Sequence, residues 1–214
     1  FLENYTVRNS DAIISPSSIR YQVAKNKGNE CVLIKNGINR DLLNLPKKIV
    51  SFNGEYQKNI VYIGEQSKIK KVDKLVEAMA SVKANLFLIG RINEEIRRVA
   101  PENVYFLGFM PQKEAFLYLK KADFAILTED NDCATKLSEY FAFAKRIIAP
   151  RGRTSSSFPN GGLHFYRDFS DLGKIIHQTN KRCKRTVRFW DQTAKEMNNF
   201  FVSFLGGGEY NERY

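Results

Sequence analysis

The sequence predicts an α/β fold in which helices cover both faces of a parallel, doubly wound sheet. Short apolar runs rich in β-branched and aromatic residues recur along the chain, bounded by Gly, Asp, Asn or Pro, as in strands buried on both faces. Amphipathic stretches of helical length separate these runs, which favours right-handed βαβ units. The composition, 43% apolar and 27% charged, is that of a globular protein.

The elements are predicted in order from these patterns. Strands are expected at residues 12–15, 31–34, 60–63, 86–89, 104–107, 124–127 and 147–149. The polar segment between the first two strands has helical spacing. Three further helices are indicated by apolar stripes at Val72, Leu75, Val76 and Met79, at Phe116, Leu117 and Leu119, and at Leu137, Tyr140, Phe141 and Ala144. A longer C-terminal helix is predicted from Val187, Trp190, Ala194, Met197 and Phe201.

The chain divides into five predicted parts. Residues 1–41 hold too few elements for a core of their own, so we interpret them as the tail of a preceding domain. Residues 42–58 contain a proline and an Asn-Gly turn without periodicity and form a linker. Residues 59–180 form one Rossmann-like domain. Residues 181–205 form a basic turn with the C-terminal helix, and residues 206–214 form a flexible tail.

The composition bounds the partners and the location of the protein. The 34 Lys and Arg residues against 23 Asp and Glu give a net charge of +11, which favours an anionic partner. Three scattered cysteines form no disulfide framework, so we expect a cytoplasmic, reducing location. With two histidines and no Cys/His cluster, we expect no metal site. The chain begins at Phe1 without a signal-like segment, which suggests that it starts inside a longer gene product.

The loop after the first core strand, residues 64–71, is the first candidate site. Gly64 ends the strand, and Lys68, Lys70 and Lys71 follow before a predicted helix. A cationic turn that enters a helix suits a phosphate, because helix amides and the helix macrodipole attract anions. A solvated surface loop is the alternative interpretation.

The second candidate is the segment 129–139 (EDNDCATKLSE), which directly follows a predicted strand. Open α/β sheets bind ligands at that end of their strands. Asp132 is predicted to cap the next helix. The helix amides left free would be those of Cys133, Ala134 and Thr135. A diphosphate fits those amides with Lys136 beside it, and Glu139 suits the hydroxyls of a ribose. A plain surface pair between Lys136 and Glu139 is the alternative.

Other chemistries find less support in the sequence. Cys133 has no histidine near it, which disfavours a cysteine nucleophile. The motifs GxSxG, HExxH, GxxxxGK[ST] and GxGxxG are absent, so the enzyme classes that carry them and a dinucleotide cofactor are not expected. The basic cluster at 181–188 suits anionic lipid headgroups, nucleic acid phosphates or plain solvent. Because no recognition helix or aromatic platform accompanies it, we expect no nucleic-acid partner.

Taken in order, four segments resemble motifs of GT-B fold glycosyltransferases of the retaining, family 4-like type ("glycosyl transferases group 1"). Residues 11–17 (DAIISPS) resemble ADxVIxxS, and residues 32–39 (VLIKNGIN) resemble VIPNGID. Residues 62–78 (YIGEQSKIKKVDKLVEA) resemble YVGRLxxxKGVDxLIEA, and residues 136–149 (KLSEYFAFAKRIIA) resemble KLxEYxAxGKPVIA. The resemblance covers nearly the whole chain and is to the C-terminal, donor-binding half of that fold.

The resemblance implies a nucleotide-diphosphate sugar as donor, with no metal or other cofactor. It also implies a glycan or lipid-linked acceptor, as in polysaccharide biosynthesis, and an N-terminal GT-B domain that this chain lacks. Lys70 matches the family's phosphate-contacting lysine, and Glu139 matches the glutamate that binds the donor ribose. Residues 132–135 match the helix start that cradles the diphosphate. The rim around the base would be formed by Arg91, Phe109 and Met110.

Two positions depart from the family pattern. The phosphate arginine that follows Gly64 in the family is Glu65 here, which reverses a charge at the diphosphate. The first glutamate of the family's E-x7-E pair falls at Asn131. We therefore keep two hypotheses: a metal-independent glycosyltransferase, retaining if the resemblance holds, and a non-catalytic domain that binds a partner or an anionic membrane surface. A GT-B-shaped epimerase or phosphorylase ranks below both.

Overall fold

The computed structural model describes residues 5, 7–133, 135–154, 162–180, 182 and 187–206. Ala134, most of the basic cluster at 181–186 and the predicted tail beyond residue 206 lie outside the described residues. The expectations for them therefore stay predictions.

The described residues form two parallel sheets. The smaller sheet pairs β1 (Ala12–Ser15) with β2 (Glu30–Leu33). The larger sheet contains β3 (Asn59–Ile63), β4 (Asn85–Ile89), β5 (Val104–Gly108), β6 (Phe124–Ile126), β7 (Ile147–Pro150) and β8 (Leu163–Tyr166). Its six strands lie in the spatial order β5-β4-β3-β6-β7-β8, and every pairing is parallel. The predicted fold class is confirmed, with β8 as an additional edge strand that the apolar runs did not predict.

Helices cover both faces of the large sheet. In chain order, the helices whose bounds lie within the described residues are α1 (Ser18–Asn26), α2 (Val72–Ala78), α3 (Glu94–Arg98), α4 (Gln112–Lys121), α5 (Thr135–Phe143), α6 (Leu172–Gln178) and α7 (Trp190–Leu205). The helices α2 to α6 cover the large sheet, whereas α1 and α7 pack on the small sheet. Short 3₁₀ turns occupy Arg40–Leu43, Met79–Ser81 and Phe169–Asp171. In the described part of the chain, no helix combines the length and apolarity that a bilayer crossing needs.

Two apolar cores result from the alternation of side chains along the strands. Ile60 and Tyr62 of β3 lie in the core beneath α2, α3 and α6. Val61, between them, lies in the core beneath α4 and α5. The predicted stripes of α2 and α5 are buried in these cores, and each fully buried side chain of this size contributes about 1.5–3 kcal/mol. This packing fixes the strand ends from which the candidate loops leave.

The C-terminal helix α7 packs on the small N-terminal sheet. Phe200 contacts the core formed by Val32 and Ile34, and a parallel bridge joins Ile38 to Phe189 just before the helix. The predicted helix is confirmed, but its predicted apolar face is wrong in part. Trp190, Met197 and Phe201 remain 45%, 36% and 46% exposed, whereas Thr193 and Phe200 are buried. The reason is that a two-stranded sheet covers only a narrow strip of a helix that is apolar on more than one side.

Candidate functional site

The order of the large sheet reverses between β3 and β6. From β3 the chain moves outward to β4 and β5 and then crosses to β6 on the other side of β3. The loops after β3 and β6 therefore leave the same edge of the sheet in opposite directions, with a crevice between them. Open α/β sheets bind ligands at such a switch point. Both loops singled out in the sequence, 64–71 and 129–135, begin at this crevice.

Gly64 ends β3 in a conformation that suits glycine, with φ at +146°. Its N–H donates to the carbonyl of Ile89 at 2.8 Å, which ties the end of β3 to β4. A Cβ at this position would lie 2.5 Å from Nζ of Lys136. The glycine thus leaves the space over the strand end that the Lys136 ammonium occupies.

Lys136 reaches from α5 into the centre of the crevice. Its Nζ lies 4.8 Å from the centroid of the Tyr62 ring, a cation–π arrangement. Burial lowers the pKa of Lys136, and the carboxylate of Glu129 partly offsets that effect, followed by weaker influences of Lys70 and Glu139. Charges act strongly on one another only at short range. Since Lys70 and Glu139 both act on the pKa of Lys136, the three side chains lie in one crevice.

Lys70 is oriented by the turn that precedes α2. Its N–H donates to the hydroxyl of Ser67 at 3.3 Å, and Lys71 adopts a left-handed conformation with φ at 55° as the chain enters the helix. The Nζ of Lys70 then donates to Oε1 of Glu129 at 2.7 Å. This ion pair joins the loop after β3 to the loop after β6. Glu129 carried no role in the sequence analysis, since nothing in its own segment indicates the distant lysine.

Glu139 lies one helical turn from Lys136 on α5. Its Oε1 accepts a hydrogen bond from Nε2 of Gln112 at 2.7 Å. Burial raises the pKa of Glu139, whereas Lys136 and Gln112 act to lower it. Gln112 is the first residue of α4 and was not predicted as a site residue. The only sequence signal was its position just after the strand-end turn at Phe109 and Met110.

Tyrosine hydroxyls fix the backbone of the strand end. The hydroxyl of Tyr140 accepts a hydrogen bond from the N–H of Ile63 at 3.1 Å. The hydroxyl of Tyr62 donates to the carbonyl of Glu65 at 2.9 Å, and burial raises the pKa of Tyr62 to about 12. Tyr62 therefore stays protonated at neutral pH and remains a donor. The side chain of Glu65 itself is exposed.

The segment 129–132 (EDND) connects the crevice to its neighbours. While Glu129 pairs with Lys70, the carboxylate of Asp130 accepts hydrogen bonds from the backbone of Arg153 and Thr154 at 3.0 and 2.8 Å. The Asn131 N–H donates to the Thr154 hydroxyl at 3.1 Å, and its side-chain oxygen accepts from the Cys133 N–H at 3.0 Å. The loop after β6 is thus anchored to the loop after β7.

Asp132 does not cap the helix that follows it, so that prediction is wrong. The helix α5 begins at Thr135, two residues too late for an N-cap at Asp132. The buried carboxylate of Asp132 instead accepts from the Ser17 hydroxyl at 2.7 Å and from the Ile19 N–H at 3.2 Å, at the start of α1. Asp132 bonds to the N-terminus of α1 instead of to α5, because the first backbone N–H groups of a helix need acceptors from outside it. Its partner Ser17 lies 115 residues away in the sequence. Asn36 adds a bond to the Cys133 carbonyl at 2.9 Å.

The remaining predicted residues lie around the crevice. Arg91 follows Gly90 at the end of β4 and is exposed. Phe109 follows β5 and is 86% exposed, whereas Met110 packs against the core beneath α4 and α5. Thr135 is exposed at the start of α5. These positions fit a rim around the charged centre.

Two clefts flank the crevice. One, of about 390 Å³, lies between α1 and the segment 129–133 and is also lined by Arg20 and Arg153. The other, of about 750 Å³, lies between α2 and the ends of β6, β7 and β8, with Lys71, Arg151 and Arg167 in its lining. Asp130 lines both clefts, whereas Glu129, Asn131 and Asp132 line only the first.

A parallel six-stranded sheet in this order, with a polar crevice at its switch point, defines a Rossmann-like domain. Residues 57–163, half of the chain, match the family model described as "Glycosyl transferases group 1". The chain therefore belongs to the group 1 glycosyl transferase family, and its sheet is that of GT-B glycosyltransferases.

Individual relatives agree with this assignment. An uncharacterized glycosyltransferase of Methanocaldococcus jannaschii is 27% identical over an alignment of 212 positions. The alignment covers 92% of this chain and 57% of the relative. Among solved structures, Anabaena HepE in complex with UDP and glucose has a TM-score of 0.61 at 16% identity, covering 82% of this chain and 55% of HepE. AviGT4, a glycosyltransferase involved in avilamycin A biosynthesis, has a TM-score of 0.65 at 11% identity, covering 90% and 64%.

These structural likenesses are to the fold alone. The chain spans just over half of the length of the curated relative and of HepE.

Proposed function

We propose that this chain is the donor-binding half of a glycosyltransferase, which moves a sugar from a nucleotide-diphosphate sugar to a glycan or lipid-linked acceptor. The observation that carries the proposal is the convergence of Lys70, Lys136 and Glu139 at the switch-point crevice of a sheet that belongs to this family.

The proposed contacts follow from the charges in the crevice. Lys70 and Lys136 face the diphosphate, and the amide of Thr135 at the start of α5 adds partial positive charge. The Cys133 amide, which the sequence predicted to be free, already donates to the side chain of Asn131. Glu139, held by Gln112 at 2.7 Å, accepts hydrogen bonds from the ribose hydroxyls. Phe109, with its exposed ring, borders the base.

In the proposed mechanism, the protein assists the departure of the nucleoside diphosphate. As the bond between sugar and phosphate breaks, negative charge grows on the phosphate oxygens. Lys70, Lys136 and the Thr135 amide at the start of α5 stabilise that charge once the diphosphate lies between them. We propose that no metal takes part and that a hexosyl group is transferred with retention of configuration.

The comparisons support a nucleotide donor of the uridine type as the first probe. HepE was crystallised with UDP, with UDP and glucose, and with UDP-glucose. We propose that the acceptor is held by an N-terminal GT-B domain. We also propose that the protein acts close to an anionic membrane surface, which its net charge of +11 favours.

Calorimetric titration with UDP, GDP and ADP tests the proposal. We expect binding of one of the three to the unaltered chain. Lys70→Ala and Glu139→Ala should each weaken it about tenfold or more, because each removes a charged contact worth on the order of 1.4 kcal/mol or more. Lys68→Ala is the matched control, since Lys68 lies on the same loop and only meets Glu95 at 3.8 Å, with both side chains exposed.

The control should bind within about twofold of the unaltered chain, as expected for an exposed pair. If none of the three nucleotides gives a binding heat with the unaltered chain, the proposal is wrong.

A second candidate function is a non-catalytic domain of the same fold that serves as a binding or membrane-associated module. The observations that favour it are Glu65 and Asn131 at positions where the family pattern has a cation and an acid. Release of nucleoside diphosphate from a sugar nucleotide by the full-length product, with acceptor supplied, would contradict this candidate.

A further inference from the structure

The ion pair between Lys70 and Glu129 spans the crevice. The 2.7 Å bond joins Nζ of Lys70, on the loop after β3, to Oε1 of Glu129, directly after β6. The lysine that would contact a diphosphate is therefore already engaged with a carboxylate. Any anion that takes Lys70 has to displace Glu129.

The charge around the crevice makes this competition significant. The carboxylates of Glu65, Glu129 and Glu139 all lie near enough to Lys136 to act on its pKa. A diphosphate entering next to an intact Lys70–Glu129 pair would meet an excess of negative charge. Like charges at short range oppose binding.

We propose that Glu129 is a built-in counter-ion that holds Lys70 in the crevice until the diphosphate of the donor replaces it. The inference rests on the proposed function and adds a residue that sets donor affinity. It also explains how a crevice with Glu65 in the place of a cation can accept an anion, because moving Glu129 away frees one positive charge and removes one negative charge.

The structure allows the exchange with little rearrangement. The side chains of Glu129 and Lys70 are 41% and 33% exposed. Because a partly exposed ion pair is weak, the Glu129 carboxylate can rotate away from Lys70 toward solvent. The next residue, Asp130, is fixed by the backbone of Arg153 and Thr154, so the movement is confined to the Glu129 side chain. A diphosphate carries more charge than a carboxylate and forms the stronger charge-assisted bonds to the lysine.

The test is calorimetry of Glu129→Gln with UDP and with inorganic pyrophosphate at low salt. We expect about tenfold tighter binding of UDP than by the unaltered chain, equivalent to ~1.4 kcal/mol, and a gain in the same direction for pyrophosphate. Glu95→Gln is the matched control. It makes the same change of charge at the partner of Lys68, an exposed position of the neighbouring helix, and should alter the affinity less than twofold.

A double variant separates competition for Lys70 from general repulsion. In the Lys70→Ala background, Glu129→Gln should bring a gain of threefold at most, because the lysine that it frees is gone. Glu129→Ala should behave like Glu129→Gln, which guards against an effect peculiar to the amide, and thermal melts should show both variants folded.

The outcomes distinguish this inference from the proposed function. If UDP binds the unaltered chain but binds Glu129→Gln equally or more weakly, Glu129 supports the site and the counter-ion inference is wrong. An equal gain with and without Lys70 also overturns it. If UDP, GDP and ADP bind neither chain, the proposed function fails, and the inference falls with it.

Discussion

At the scale of single residues, the crevice contains charges that the fold does not favour. Burial lowers the pKa of Lys136 and raises the pKa of Glu139, so in each case the charged form is disfavoured by its surroundings. Groups perturbed in this way at a strand-end crevice are typical of functional sites. We infer that Lys136 and Glu139 carry a cost to stability that a ligand offsets.

Glu139→Gln tests that cost. The folded protein holds the Glu139 proton more tightly than the unfolded chain does, because its folded pKa is raised. The penalty is therefore full above the folded pKa and disappears as the pH falls below the ordinary value of about 4.3. We expect the variant to melt at a higher temperature than the unaltered chain at neutral pH, with the gap closing towards about pH 4, while UDP binding weakens. A variant that melts lower at neutral pH would contradict this account.

The site could be predicted from the sequence only for residues in local motifs. Lys70, Lys136 and Glu139 were found because each follows a strand end or begins a helix, and the structure brings them together. Glu129 and Gln112 were missed because their roles are set by partners 59 and 27 residues away. Asp132 was assigned to the wrong helix, since a cap is recognised in sequence by proximity whereas its carboxylate found a distant helix start.

At the scale of elements, Asp132 links the loop after β6 to α1. The carboxylate accepts from Ser17 and Ile19, and the hydroxyl of Ser17 in turn accepts from the N–H of Arg20 at 3.1 Å. These bonds tie α1, and with it the small N-terminal sheet, to the loop after β6. The carboxylate of Asp132 thus satisfies a backbone N–H in the first turn of α1. It also fixes one end of the loop that carries Glu129.

Asp132→Ala should destabilise the protein by about 1–3 kcal/mol. The reason is that the hydroxyl of Ser17, which caps α1, and the N–H of Ile19 both lose their acceptor. Urea denaturation measures the change. Asp41→Ala is the control, since Asp41 is exposed in the 3₁₀ turn, and we expect a change within about 0.5 kcal/mol. Equal effects of the two substitutions would show that the Asp132 bond does not stabilise the fold.

Elements were predictable wherever a strand is buried on both faces. Strands β3, β4, β6 and β7 are continuous apolar runs, and their bounds agree with prediction to within one residue. The apolar runs did not indicate the strand β8, because an edge strand is only partly buried and this one carries His164 within a short run. The face of α7 was misjudged because the sequence does not disclose how narrow the sheet beneath the helix is.

At the scale of the whole molecule, the fold and the charge serve different ends. The switch between β3 and β6 creates the crevice, and the two cores hold its strand ends rigid. The net charge of the chain is +11, whereas Lys136 in the crevice lies near the carboxylates of Glu65, Glu129 and Glu139. The surplus of positive charge attracts anions to the molecule, and we propose that the exchange at Lys70 then sets the affinity for the donor.

A crystal structure of the chain with UDP tests the central claim most directly. We predict the diphosphate at the switch point, with phosphate oxygens at ~3 Å from Nζ of Lys70 and Lys136, Glu139 on the ribose hydroxyls and Glu129 turned away from Lys70. UDP bound in the cleft lined by Lys71, Arg151 and Arg167, with the bond between Lys70 and Glu129 intact, would contradict the account.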